Sequence, residues 1–327
     1  MSKTQRNRWL ALASLGAIAA CTTASGALGD AEPCKQCNTA NAIDPALYEK
    51  KGGATSAFWK HWGDGKAELT GYKVTTLRYG QKRQAEMVLI YVTEPLDRRT
   101  LVKDDRVKDE HKLNVLKLNR MLKFRTGIYP YSVMTSVFAP VNDLGRGRFW
   151  PAKIAFSAQE WCGHVFHQVR PGDGRFTSSI RSYFADEGEK TESVAAPGDL
   201  LYEDALLIQL RELDGPFQKG GNWAGQLVPE IWEVRKAHVP LRPVQAAITR
   251  EQAIRDGQAV TRFTLKYNKV TKIYDVEKAA PRRILGWTKN DGEVATILKT
   301  ARLPYWNQHD LGDESALEKI GLTATHK

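Results

Sequence analysis

Four reactive side chains fall within eight residues: Glu160, Cys162, His164 and His167. Carboxylate, thiolate and imidazole are the groups a zinc-like ion collects, three or four at a time. A thiol two residues from an imidazole on a strand is also the arrangement of an activated nucleophile. Read as one strand from Glu160 to Val169, the segment puts Glu160, Cys162 and His164 on one face. Trp161, Gly163, Val165 and His167 then take the other, because side chains alternate. His167 joins the first three only through a bulge. The plainer alternative is a strand whose polar face hydrogen-bonds inside the concavity of a sheet, with no catalysis and no metal.

The remaining chemistry is thin. Cys34 and Cys37 form a Cys-x-x-Cys pair, but residue 38 is Asn, so covalent haem attachment is not indicated. The pair lies in a polar stretch and not at the start of a helix, where redox thiols are activated, so a structural disulfide or two idle thiols is the expectation ahead of redox or metal chemistry. The stretch Gly220–Gly225 lacks the Gly-Lys-Ser/Thr ending of a phosphate loop and reads as a connector. No nucleophile elbow and no His-Glu-x-x-His helix is present, and no cofactor is implied. Eight of the nine tryptophans, those from Trp59 to Trp306, could line a cavity for sugar or acyl chains, yet large aromatics are first of all core material.

The elements that must carry these residues are mostly strands. Glu68–Tyr79 is rich in β-branched and aromatic residues and ends at Gly80; Met87–Thr93 follows as a strand apolar on both faces. Leu113–Arg125 with Tyr129–Phe138, and Ile154–Ser157 with Glu160–Val169 and Phe176–Phe184, continue the pattern, and Asp97–Glu110 is a charged loop. Phe263, Leu265 and Tyr267 alternate with Arg262, Thr264 and Lys266, and short turns link them to Val270–Val276, Arg283–Thr288 and Val294–Arg302. One helix interrupts: Asp199 is its N-cap, and Tyr202, Leu206, Leu210 and Leu213 make one apolar stripe suited to packing on a sheet. A short helical tail spans Glu314–Ile320. The expected fold is therefore mainly β, a large curled antiparallel sheet of ten to thirteen strands, half-barrel or open barrel, with one substantial helix packed on it. Residues 58–327 form this β-rich domain, either as one unit or as two sheet units with a seam near 213–239.

The opening segment says where the chain goes. Lys3, Arg6 and Arg8 precede an apolar run from Trp9 to Ala20, the parts of an export signal over residues 1–20. The run is about 12 residues, short of the ~20 that cross a bilayer. Its ending, Ile18-Ala19-Ala20-Cys21, resembles the bacterial lipoprotein box, which implies that Cys21 is diacylated and becomes the mature N-terminus. Ordinary secretion with cleavage near Ala24 or Ala27 is the alternative. Thr22, where an Asp would favour retention, points to the outer membrane, on its periplasmic face or the cell surface. Residues 21–57 then form a lipidated tether with one short helix near Ala46–Lys50. The chain carries +11, or +8 once the three leading cations are removed. A basic domain tethered to an anionic membrane lies close to it. Nucleic acid, the other usual partner of a basic chain, is excluded by export.

Phe58-Trp59, Tyr79-Gly80, Tyr91-Val92-Thr93-Glu94-Pro95, Thr126-Gly127-Ile128-Tyr129-Pro130-Tyr131 and Gln159-Glu160-Trp161-Cys162-Gly163-His164 resemble an uncharacterised family of bacterial envelope lipoproteins. Some members carry the label "septum formation inhibitor Maf". Ala280-Pro281-Arg282-Arg283 echoes the Ser-Pro-Arg-Arg motif of true Maf pyrophosphatases, but it lies in a C-terminal β-meander and not at the start of an α/β fold. The lipoprotein box, the β-rich pattern and the absence of a recognised catalytic motif lead to the expectation of a lipid-anchored envelope protein that binds lipid, an acyl chain or an envelope protein. The rival expectations are an envelope hydrolase or metal-dependent enzyme using Glu160, Cys162 and His164, and a purely structural lipoprotein.

Overall fold

The computed structural model describes residues 54–213, 215 and 221–324. Cys21, Cys34, Cys37 and the helix expected near Ala46–Lys50 lie outside the described residues. The first element is α1 (Ser56–Trp62), whose start is capped by Thr55: its hydroxyl accepts the Phe58 N–H at 3.2 Å.

A meander follows: β1 (Ala67–Arg78), β2 (Gln81–Asp97), the two-residue β3 (Val102–Lys103), β4 (Lys112–Thr126) and β5 (Tyr129–Pro140). It continues with β6 (Lys153–Glu160), β7 (Gly163–Pro171), β8 (Arg175–Ser182) and β9 (Glu189–Ala195). The chain then enters β10 (Leu201–Tyr202) and α2 (Glu203–Glu212), and after β11 (Trp223–Val228) and α3 (Ile231–Ala237) a second meander begins. It comprises β12 (Val244–Arg255), β13 (Gln258–Tyr267), β14 (Val270–Glu277), β15 (Ile284–Lys289) and β16 (Val294–Leu303).

All sixteen strands among the described residues belong to one open sheet. Its order runs β10 to β16, then β1, β2 and β4 to β9, with β3 appended to β2. The two meanders join because β16 pairs antiparallel with β1, Val74 opposite Ala295 and Ala67 opposite Leu303. No seam divides the sheet near residues 213–239, since β11 is hydrogen-bonded to both β10 and β12. The edges are β9, a strand of charged, exposed residues, and the two-residue β10, which pairs in parallel with β11. Short or charged edges of this kind resist pairing with another chain.

The sheet curls around α2. Tyr91 on β2 donates to the Leu207 carbonyl at 3.1 Å, Tyr267 on β13 donates to Glu203 at 2.8 Å, and Phe176 on β8 meets Tyr202 edge to face. Every residue from Glu203 to Arg211 is buried, the charged ones included. The apolar stripe placed only Tyr202, Leu206, Leu210 and Leu213 against a sheet, and the expected N-cap, Asp199, lies four residues before the helix begins. The difference has a physical cause: the strands supply partners for the polar side of α2, so that side need not face water.

Inward-facing residues such as Tyr72, Leu89, Leu118 and Val133 make one continuous core with α2. Outside, Lys73, Glu86 and Lys123 form an alternating-charge row across β1, β2 and β4. This inside-apolar, outside-charged pattern is the reverse of a barrel embedded in lipid. Among the described residues, no helix is long and apolar enough to cross a membrane. The C-terminal 3-10 segment Asp313–Ile320 lies on the outer face, where Ile320 and Leu322 cover Ala67, Leu69 and Val92. Gly71 permits that contact: a Cβ there would sit 2.2 Å from the Ile320 carbonyl oxygen.

Candidate functional site

The sequence-predicted cluster does not form as expected. Glu160 and Gly163 are the closing pair of a tight hairpin, so Trp161 and Cys162 are its turn and not part of a strand. The Glu160 carboxylate is spent on that turn, accepting the Cys162 N–H at 2.7 Å. The Cys162 thiol is exposed, and the hydrogen bond and charge of Glu160 push its pKa up, the opposite of what a nucleophilic or metal-bound thiolate needs. His164 points to solvent from β7, opposite Gln159. Among the described residues, no group of three His, Cys, Asp or Glu side chains converges to hold a metal ion. The alternation argument does hold for His167, which faces inward between Val165 and Val169 while His164 faces out. The hairpin was obscured by a turn with no Asn-Gly or Asp-Gly signal; only Gly163 marked it.

His167 lies at a cavity of about 70 Å³ between β7–β9 and the segment after α3. Its Nε2 and the Ser178 hydroxyl are 2.8 Å apart. Burial disfavours the imidazolium and brings the pKa down to about 4 from 6.5. A group whose folded pKa is depressed contributes stability that is present above its unfolded value and lost as pH falls through the folded one. His167 therefore withdraws about 3 kcal/mol between pH 6.5 and 4, at 1.36 kcal/mol per pH unit. Asp204, raised to about 7 by burial and then by Glu230, acts in the other direction over part of that range. The difference between the wild type and His167→Gln isolates the histidine: denaturant titrations should show the wild type losing about 3 kcal/mol more than the variant over this window.

A pocket of ligand size, about 600 Å³, lies at the α1 end of the sheet; a second, of about 910 Å³, lies on β1, β2, β4 and β5 beside Leu322. Binding sites for small molecules typically span about 300–1,000 Å³. Four separate segments build the first. The inner turn of α1 contributes Phe58, His61 and Trp62; the end of α2 contributes Arg211 and Glu212; the β5–β6 connection contributes Arg148 and Phe149; and the β14–β15 connection contributes Ala280, Pro281 and Arg282. The walls are aromatic: Phe58 and Phe149 have ring centroids 5.6 Å apart, and Trp62 stands 5.9 Å from Tyr91.

The charges around this pocket are unevenly matched. Arg211 is held by Glu68 at 2.7 Å and donates to the Pro281 carbonyl at 3.1 Å, which ties the β14–β15 connection to α2. Burial opposes ionisation of Glu68, but Arg211 and His61 outweigh it and hold the carboxyl down at about 2. His61 Nε2 lies 3.2 Å from Glu68 Oε2. Glu212, the one carboxylate lining the pocket among the described residues, accepts the Trp62 indole N–H at 3.1 Å, and burial raises its pKa. Arg148 and Arg282 make no ion pair among the described residues. An aromatic-walled pocket with unneutralised guanidinium groups at its mouth is suited to an anion that also carries apolar surface.

Sequence reasoning had no means of assembling this site. Arg282 fell inside a tetrapeptide noted for a superficial motif likeness, and nothing linked it to Arg148 or Arg211, which are 134 and 71 positions away. The tryptophans divide as aromatic core material does: Trp62, Trp223, Trp232 and Trp287 are buried, while Trp59, Trp161 and Trp306 are exposed. The interior that a lipid carrier would leave free is occupied by α2.

Together these features define an open, helix-filled antiparallel β-sheet protein with a cationic, aromatic-walled mouth. No family model, no curated protein and no solved structure matches the chain.

Proposed function

We infer that this chain is a lipid-anchored envelope protein that binds an amphiphilic anion, with the bound molecule at the α1-end mouth and not inside the sheet. The observation that carries the binding reading is the convergence of Arg148, Arg211 and Arg282 on an aromatic-walled pocket of about 600 Å³, where the Glu212 carboxyl is pushed toward its neutral form. Arg211 is matched by Glu68, so Arg148 and Arg282 are the cations left to meet a ligand's charge, while Phe58, Trp62 and Phe149 meet its apolar part. Anchoring rests on the opening segment, with Cys21 as the acylated residue. A phosphate- or carboxylate-bearing lipid or acyl chain fits both parts of this reading.

Calorimetric titration of the protein with dodecyl phosphate tests the pocket, and inorganic phosphate tests the headgroup alone. The Arg148→Ala, Arg282→Ala double variant should bind dodecyl phosphate about 10- to 100-fold more weakly, each charge-assisted contact being worth about 1.5–3 kcal/mol before compensation. Equal binding by the double variant, or no binding by the wild type, would sink the reading. Anchoring is tested separately: metabolic labelling with palmitate should mark the wild type and not Cys21→Ser.

A further inference from the structure

The end of the sheet opposite α1 carries an unusual edge. Four consecutive connections meet there: Tyr79-Gly80 between β1 and β2, Gly127-Ile128 between β4 and β5, Trp161-Cys162 between β6 and β7, and Tyr183 onward between β8 and β9. Each presents a large apolar or aromatic side chain to solvent: Tyr79 is 59% exposed, Ile128 74%, Trp161 68% and Tyr183 69%. They are joined into one rim and are not scattered. The Tyr79 and Tyr131 hydroxyls are 2.8 Å apart, and the Tyr129 and Trp161 rings are 6.3 Å apart. Tyr183 lies flat on Gly163, where a Cβ would come within 2.6 Å of its ring. Rigid hairpins therefore hold the side chains outward; the exposure is built in.

The charge beside this rim is one-sided on its β1–β5 half. Arg78 stacks 4.3 Å over the Tyr79 ring, Lys82 and Arg125 are exposed, and Arg83 is half-exposed. None of the four makes an ion pair among the described residues. Glu160, at the β6–β7 turn, is engaged by the Cys162 N–H, and Asp291, next to Gly292 where Lys82 lies, is paired with Lys289. Toward Tyr183 the charge is balanced, with Glu187 paired to Arg235 and Glu189 to Arg181. Trp and Tyr beside Lys and Arg are the composition that settles at a bilayer's headgroup level, where each amphipathic ring keeps one end apolar and one end wet. The row of charges along the outer wall excludes deeper insertion.

We propose that this rim docks on an anionic bilayer surface, end-on, with Trp161, Ile128, Tyr79 and Tyr183 at the headgroup boundary and Arg78, Lys82, Arg83 and Arg125 above the lipid phosphates. The roughly 30 residues between Cys21 and Ala54 span on the order of 100 Å when extended. β1 runs about 40 Å from the α1 end to the rim at ~3.3 Å per residue. A chain anchored at Cys21 can therefore place its far end on the membrane, which leaves the ligand mouth facing water. The proposal draws on the membrane anchoring inferred above. Vesicles added in solution test the rim without any acyl group, so failure here leaves the anchoring reading standing.

Cys162 supplies the probe. The full chain carrying Cys21→Ser, Cys34→Ser and Cys37→Ser retains one exposed thiol at the rim, to which an environment-sensitive fluorophore is attached. With phosphatidylcholine–phosphatidylglycerol vesicles, its emission should shift to the blue and be quenched by a nitroxide on the lipid headgroup. The same fluorophore at Asp105→Cys, near the opposite end, in a chain that also carries Cys162→Ser, should not respond. Trp161→Ser with Tyr183→Ser should abolish the shift while leaving the melting temperature unchanged. Lys82→Gln, Arg83→Gln and Arg125→Gln should each weaken vesicle binding by roughly fivefold. A rim fluorophore that stays in water on every vesicle, or responds equally to pure phosphatidylcholine, overturns the proposal. So does a shift produced by raising protein concentration without vesicles, which would assign the rim to a second copy of the chain.

Discussion

Arg211→Met should lower stability by about 3–5 kcal/mol at pH 7, the cost of leaving a buried carboxylate without its cation. The guanidinium and the Glu68 carboxylate are each 1% exposed and 2.7 Å apart, and the same arginine stacks over Tyr91 at 4.5 Å and Trp62 at 5.1 Å. Removing it strands Glu68 at the end of α2, with the His61 ring, at 3.2 Å, as a remaining side-chain contact. For a domain of this size, that loss should appear as a fall in melting temperature of about 10 °C. The pH dependence supplies the sign check. In the wild type the depressed Glu68 pKa, about 2, means that its contribution is present above 4.5 and lost as pH falls through 2. In the variant, burial without Arg211 raises the carboxyl, so stability should improve, not decline, as pH is lowered from 7 toward 5. Adding Glu68→Gln to Arg211→Met should recover most of the deficit, since an uncharged pair no longer needs compensation. A melting temperature for Arg211→Met within 2 °C of the wild type would show that this pair does not hold α2 in the sheet.

Lys272→Met should cost a similar ~3–5 kcal/mol through a separate network at the other end of α2. Its ammonium is 3% exposed and bridges Glu230 at 2.8 Å and Glu203 at 3.3 Å. Those carboxylates also organise backbone: Glu203 accepts the Glu230 N–H at 3.0 Å, and Asp204 accepts the Ile231 N–H at 3.0 Å, which caps the start of α3. Arg120 on β4 pairs with Glu230 and lies 3.9 Å from Asp204. Three carboxylates thus share two cations. Burial already raises Glu203 and Asp204, while Arg120 and Lys272 together outweigh burial and hold Glu230 down. Without Lys272 the excess negative charge must be relieved by proton uptake. The deficit should be largest above pH 7 and shrink toward pH 5, and hydrogen exchange should speed up in α3 before it does in β1 and β2. A deficit independent of pH would show that lost packing, and not unpaired charge, is responsible.

Both predictions rest on contacts that local sequence does not encode. Glu68 and Arg211 are 143 positions apart, and Lys272 and Glu203 are 69 apart. Helical periodicity around Leu206 and Leu210 located α2 but said nothing about partners for its charged residues. The same gap explains the site. Arg148 and Arg282 sit in two connections and Arg211 at the end of α2, and their convergence depends on the whole sheet curling around the helix. The Glu160–His167 cluster failed for a shorter-range reason, because a two-residue turn after Glu160 reverses the chain and reassigns every side chain beyond it.

By itself the sequence determined what depends on neighbours along the chain. The period-two alternation of Phe263, Leu265 and Tyr267 with Arg262, Thr264 and Lys266, the short turns at Asn268-Lys269 and Lys289–Gly292, and the scarcity of long helical periods were enough for a large antiparallel sheet. Those signals are local because strand pleating and turn conformation are set by a few adjacent residues. Tertiary structure alone decided that β16 closes onto β1, that a helix carrying Glu203, Asp204 and Arg211 fills the interior, and that cations gather at one end and aromatics at the other. Each of these depends on which distant charge or edge lies opposite, and burial of a charge is tolerable only once that partner is in place.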